Sequence, residues 1–269
     1  MSEKRVLLTG ASGAIGAEVA RQLSATGARL VLSGRREERL RELAGAIERQ
    51  GAPSPAVIPA DLSSRGDAEQ LAAQAVEALG GVDVLINNAG ASAQGLGWVL
   101  GDRDEGRDVF ETNLWSPLAL VRALAPALVE RGEGAIVNVG SMARVSPYPH
   151  LGHYAASRAA LSLATQVLDL ELRPRGVRVV EVALGPVDTP ASRENRVLAG
   201  AAEWLDGRPG LGEAAEAAAA IAAAARGSAR AVVYYPRMLR WVDRFPGLGR
   251  RYARRAARHA DLTDSTVRA

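Results

Sequence analysis

Arg5-Val6-Leu7-Leu8-Thr9-Gly10-Ala11-Ser12-Gly13-Ala14-Ile15-Gly16 is the stretch whose reading decides the fold. Five residues make a short apolar strand, the next seven a glycine-rich turn, and Ala17 to Ala25 then carries helical periodicity. Strand, glycine turn, helix is the context in which such a turn predicts a phosphate site. Glycines allow close backbone approach, and the helix start offers free N–H groups and the positive end of its dipole. Gly10, Ser12, Gly13, Ile15 and Gly16 are therefore candidate cofactor contacts. The plainer alternative is a tight strand–helix turn with no ligand.

The same alternation continues along the chain. Apolar strands are expected at 29–33, 56–60, 82–86, 135–139, 177–182 and 231–235, with helices at 37–49, 67–79, 108–131 (interrupted near Pro117), from His153 to 173, and 213–226. Segment 91–106 reads as irregular loop with one short turn, and 190–212 as a lid. Alternating strands and helices predict an α/β fold: a Rossmann-like doubly wound parallel sheet of about seven strands in a single domain. Its boundaries are drawn at 1–235, with 236–269 as a basic helical extension.

Ligands of such sheets lie at the carboxyl ends of the strands. The second strand ends at Gly34-Arg35-Arg36, where an acidic residue would select NAD and a basic one the 2′-phosphate of NADP. No carboxylate stands there, so NADP(H) is expected over NAD(H), with Arg35 as the contact and Arg36 as an ordinary first-turn charge. The third strand runs out at Asp61-Leu62, beside the adenine, and the fourth at Asn87-Asn88-Ala89-Gly90, small and polar. The helix that starts near His153 pairs Tyr154 with Arg158 at i and i+4, on one face. A fixed positive charge next to a phenol favours the phenolate, which makes the pair a candidate acid–base group.

Composition limits the alternatives. The 269 residues contain no cysteine, which excludes disulfides, and the three histidines show no metal-binding spacing, so no metal is expected. No apolar run approaches the ~18–20 residues of a membrane span, and no signal peptide is visible, so a cytoplasmic protein is expected. Charge is uneven: the net value is +3, yet from Arg230 onward ten arginines face only Asp243, Asp261 and Asp264. Lys4 is the only lysine.

Together these motifs resemble the short-chain dehydrogenase/reductase family over roughly residues 5–235. The likeness rests on the Thr9–Gly16 turn, Asp61, Asn87-Asn88-Ala89-Gly90, Asn113, Ser141 thirteen residues before Tyr154, and Gly185-Pro186-Val187-Asp188-Thr189. The resemblance implies an NADP(H)-dependent oxidoreductase interconverting a carbonyl and an alcohol on an apolar small molecule. Tyr154 would be the general acid/base and Ser141 would orient the substrate oxygen. Asn113 would support a proton-exchanging water chain. Asn88, Ala89 and Gly90 would line the cofactor, while Pro186, Val187 and Thr189 would hold the carboxamide. A homodimer or homotetramer is implied as well.

Two positions depart from the family pattern. The middle glycine is displaced, Gly13 preceding Ala14, and the residue four after the tyrosine is Arg158 where lysine is usual. Arginine keeps the charge but does not readily deprotonate. In a chain with one lysine, Arg158 is either drift at a tolerant site or a functional change. The alternative function is a cofactor-binding sensor or scaffold with little turnover.

The substrate is expected between the 91–98 loop, Val145 to His153 and the lid, with Trp98, Tyr148, Leu151 and Trp204 as apolar walls. His150 and His153 read as surface loop histidines. In the tail, Met238, Trp241, Val242 and Phe245 form one helix face beside Arg237, Arg240 and Arg244. That face either packs on the domain or a partner subunit, or lies on an anionic membrane surface as a peripheral contact. Nucleic-acid binding is not expected, because only charge would speak for it.

Overall fold

A computed structural model describes residues 3–146, 149–190, 192–193, 212–227, 230–256 and 258. Seven strands form one sheet: β1 (Arg5–Leu8), β2 (Arg29–Gly34), β3 (Ala56–Pro59), β4 (Val84–Asn87), β5 (Gly134–Ser141), β6 (Val177–Leu184) and β7 (Val232–Tyr235). Their order is β3-β2-β1-β4-β5-β6-β7 and every pairing is parallel. The expected doubly wound α/β sheet is thus the observed one. Strand order reverses between β1 and β4, which opens the crevice where such sheets take ligands.

Side chains alternate between the sheet's two faces, so the central strands feed two cores. Val6, Leu8, Leu30, Leu32 and Ile86 pack under α1 (Ala14–Ser24) and α2 (Glu37–Arg49), through Val19, Leu23, Leu40 and Ile47. Leu7, Val31, Leu85 and Ile136 pack on the other face under α3 (Asp67–Leu79), through Leu71 and Leu79.

Between β4 and β5 the chain is more helical than its glycine content suggests. α4 (Gly97–Leu100) and α5 (Asp104–Phe110) lead into a π-helical turn at Glu111–Trp115, and α6 (Ser116–Arg131) follows, its Leu120, Leu124 and Leu128 joining the second core. The expected break near Pro117 is this π turn, and Pro117 is the second residue of α6. α7 (Gly152–Leu172) carries Tyr154 and Arg158, and α8 (Ala214–Gly227) lies over the first core. After β7 come α9 (Leu239–Arg244) and α10 (Pro246–Ala256). No helix among the described residues is long and apolar enough to cross a membrane.

Candidate active site

The β1–α1 turn is held by Thr9, which is fully buried at the end of β1. Its hydroxyl accepts the N–H groups of Asn88 (3.0 Å) and Ala89 (3.1 Å). The Asn88 amide in turn donates to the carbonyls of Thr9 (3.0 Å) and Gly10 (3.2 Å). This exchange fixes the ends of β1 and β4, the two strands flanking the switch point. Gly10 has φ +66°, and a Cβ there would stand 2.8 Å from the Ala89 backbone. At Gly16 a Cβ would come within 2.2 Å of the Gly10 carbonyl oxygen.

Gly13 behaves differently. A Cβ there meets only the Gly10 oxygen, at 3.4 Å, so the fold itself does not require glycine. Gly13 caps α1 without any side-chain hydrogen bond, which leaves the first-turn N–H groups to an outside acceptor. An uncapped helix start beside a residue kept free of a side chain fits a cofactor phosphate. Ile15 is half-buried against the first core.

Arg35 is exposed at the end of β2. It is Arg36 that reaches the turn, donating to the Ser12 carbonyl at 2.8 Å. Sequence reading did not reach this contact, because it depends on how α2 leaves the sheet. Asp61 accepts from the Ser63 amide (3.1 Å) and hydroxyl (2.8 Å), which orders the loop after β3. The Leu62 side chain belongs to the core, and its carbonyl takes the buried Ser116 hydroxyl at 2.8 Å.

The helix bearing Tyr154 is pinned to the sheet by buried polar side chains. Asn87 donates to Asn138 and Asn138 to Thr165, both at 2.8 Å, so β4, β5 and α7 are joined in series. Asn113, in the π turn and fully buried, spends its whole amide on protein partners. It exchanges two bonds with the Ala91 backbone (2.8 and 2.9 Å) and donates to the Ser157 hydroxyl at 2.9 Å. Ser157 passes the bond on to the Tyr154 carbonyl at 2.8 Å. His153 accounts for the other side: its Nε2 lies 2.7 Å from the Gly101 carbonyl and its ring packs on Gly106, so it fastens α7 to α5.

Tyr154 is half-buried and Arg158 is only 5% exposed. The guanidinium carbon lies 5.4 Å from the centre of the Tyr154 ring, and Nη1 donates to the Val139 carbonyl at 3.1 Å. Gly90 makes room for it, because a Cβ there would stand 2.1 Å from Nη2. Val139 belongs to β5, which ends at Ser141, and the Ser141 hydroxyl accepts the Ala143 N–H at 3.1 Å. The structure thus gathers Gly90, Asn113, Ser157, Tyr154 and Arg158 into one cluster beside the end of β5.

Behind it lies a charge cluster the sequence did not reveal. Arg144, in the turn after Ser141, ion-pairs with Glu181 of β6 (3.2 Å) and with Asp243 of α9 (2.8 Å). Ser162 of α7 donates to Glu181 at 2.7 Å, and Tyr234 donates to Asp243. Burial pushes the Glu181 carboxyl above its ordinary range, opposed by Arg144, Ser162 and Arg158. Burial and the Asp243 carboxylate push Tyr234 up to about 12.

After β6, Pro186 accepts the Gly212 N–H (2.9 Å), Val187 is buried, and Asp188 donates to the Gly212 carbonyl (2.9 Å), so both ends of the lid segment meet. Thr189 is braced by Ser192, whose N–H its hydroxyl accepts at 3.1 Å and whose hydroxyl takes its N–H at 3.0 Å. Pro147, Tyr148, Trp204, His259 and most of the lid lie outside the described residues. Trp98 is 71% exposed, while Leu96 and Leu100 on either side of it are turned inward. Of the expected apolar tail face, Met238, Trp241 and Phe245 are exposed among the described residues and Val242 is half-buried.

The chain is similar to known proteins. Residues 4–197 match the family described as short chain dehydrogenase. A fatty acyl-CoA reductase of Mycobacterium tuberculosis is 34% identical over 256 residues, spanning 94% of this chain and 83% of the relative. Dehydrogenase/reductase SDR family member 7B of Bos taurus is 36% identical over 192 residues, and the match spans 70% of this chain and only 59% of that protein. Among solved structures, the bulky-bulky ketone specific alcohol dehydrogenase from Comamonas testosteroni superposes with a TM-score of 0.76 at 26% identity, covering 92% of this chain and 94% of the other. With this sheet order, this glycine turn and these relatives, the chain belongs to the short-chain dehydrogenase family of nicotinamide-dependent oxidoreductases.

Proposed function

We propose that the protein is an NADP(H)-preferring oxidoreductase that interconverts a carbonyl and an alcohol on an apolar small molecule. The observation that carries this reading is the cluster beside the end of β5, where a half-buried Tyr154 stands against a buried arginine. Gly10, Ser12, Gly13, Ile15 and Gly16 would hold the cofactor phosphates. Arg35 and Arg36 would take the 2′-phosphate; Asp61 and Leu62 would border the adenine; Asn88, Ala89 and Gly90 would line the ribose side; and Pro186, Val187 and Thr189 would bind the carboxamide. The bound nicotinamide supplies or accepts the hydride.

The chain's own groups handle the proton. Tyr154 gives a proton to the carbonyl oxygen in reduction and removes it from the alcohol in oxidation. The Ser141 hydroxyl, its lone pair already aimed by the Ala143 N–H, donates to the same oxygen. Arg158 keeps a permanent positive charge beside the phenol and, unlike lysine, passes on no proton of its own. An exposed apolar row on α7 (Leu163, Val167, Leu170), together with Trp115, favours a homodimer or homotetramer, which we place in the cytoplasm.

A panel of apolar ketones, aldehydes and alcohols assayed with both cofactors tests the reading. Turnover with NADPH should exceed that with NADH. Faster turnover with NADH would remove the role given to Arg35 and Arg36, and cofactor binding without turnover across the panel would favour a sensor or scaffold.

A further inference from the structure

The C-terminal helices present a surface that the oxidoreductase reading does not use. Met238, Trp241 and Phe245 are 71%, 53% and 51% exposed, and the Trp241 and Phe245 rings stack with centroids 6.3 Å apart. The Arg240 and Arg244 guanidinia lie 5.1 Å and 5.8 Å from the centres of those rings. α10 then adds Arg250, Arg251, Arg254 and Arg255, all exposed. The single acidic residue between Arg230 and Ala256 is Asp243, and it is turned inward onto Arg144 and Tyr234. Among the described residues of α9 and α10, the outward face therefore combines large apolar side chains with guanidinia and has no carboxylate.

An uncovered apolar face alone does not name a partner; the charge does. We infer that α9 and α10 dock the protein on an anionic phospholipid surface, with Met238, Trp241 and Phe245 in the interfacial layer and the arginines on headgroup phosphates. Aromatic rings favour that layer, and each arginine near an anionic surface adds to the attraction. Guanidinia stacked on the rings keep their charge at headgroup level while the rings enter the apolar layer. A duplex nucleic acid would engage the arginines but leave the aromatic face in water.

The docking surface is also tied to the reaction side of the molecule. The Arg144–Asp243 pair joins α9 to the turn after Ser141. Leu239 packs on Gly185, where a Cβ would stand 2.5 Å from its Cδ1, beside the loop that carries Thr189. A substrate dissolved in the lipid phase is the class this placement fits. The docking itself does not depend on which cofactor is used or whether the protein turns over.

The test is co-sedimentation of the full chain with phosphatidylcholine vesicles containing phosphatidylglycerol, with phosphatidylcholine alone, and gel shift with duplex DNA. Wild type should sediment with the anionic vesicles only, and less so at high salt. The pair Trp241→Ser/Phe245→Ser and the quartet Arg250→Gln/Arg251→Gln/Arg254→Gln/Arg255→Gln should each weaken that binding by about tenfold or more. Circular dichroism and thermal midpoint should stay unchanged in both. Equal binding to both vesicle types, no binding to either, variants that bind like wild type, or DNA binding without vesicle binding would each overturn the proposal.

Discussion

Arg158 is where side-chain chemistry and packing meet. Its guanidinium occupies space that exists because residue 90 has no side chain, and it is tied to the Val139 carbonyl. Gly90→Ala should therefore displace it, lowering stability by about 1–3 kcal/mol, the usual range for an added methyl in a packed site. Arg158→Lys removes the atom that would clash. The double variant should accordingly lose less than the sum of the two singles in urea unfolding, and strict additivity would show that the two residues do not touch. Glu181 gives a second prediction. Burial raises its native carboxyl above the unfolded value, so the native state holds that proton more tightly and stability falls as pH rises from the ordinary glutamate range through the raised value. Unfolding across that window should show the fall in wild type and a flatter profile in Glu181→Gln; identical slopes would contradict it. Arg158 was legible in the sequence as an identity, four residues after the tyrosine, but its cavity was not, because Gly90 is far away along the chain. Glu181 was not legible at all. One carboxylate in an apolar strand reads as a solvated residue until Arg144, Ser162 and Asp243 are brought around it.

At the level of elements, periodicity was enough for the strands and long helices, because the central strands are buried on both faces and the long helices on one. It failed where glycine content misled, in the segment that forms α4 and α5. The π turn at Glu111–Trp115 was visible only as an interruption near Pro117, since nothing local distinguishes an i→i+5 turn. Its consequence is structural: it delivers the Asn113 amide to Ala91 and Ser157. The glycine turn was read as one motif, yet its glycines have separate duties. Gly16→Ala sets a methyl against the Gly10 oxygen and should cost about 1–3 kcal/mol. Gly13→Ala has room and should change stability by no more than about 0.5 kcal/mol. NADPH titration followed by fluorescence should nevertheless weaken in both, because the methyl at residue 13 lies where the cofactor approaches. Unaltered NADPH affinity in Gly13→Ala would detach that residue from the cofactor.

Over the whole molecule, the sheet order sets the site. Reversal between β1 and β4 opens the crevice, β5 ends at Ser141, and α7 carries Tyr154 and Arg158. Sequence alone reached the strand order along the chain and the fold because each motif stands at the carboxyl end of one parallel strand. It did not reach the exposure of Trp98, nor the link from the turn after Ser141 through Arg144 to α9. The central claim is that this assembly makes Tyr154 an acid–base catalyst. It is tested most directly by the rate of NADPH consumption in Tyr154→Phe, measured with the best carbonyl substrate alongside NADPH affinity in the same preparation. The rate should fall by about 10²–10⁴-fold, the usual contribution of a positioned general acid, while affinity stays within a few-fold of wild type. A phenylalanine variant that keeps a tenth or more of the wild-type rate would contradict it.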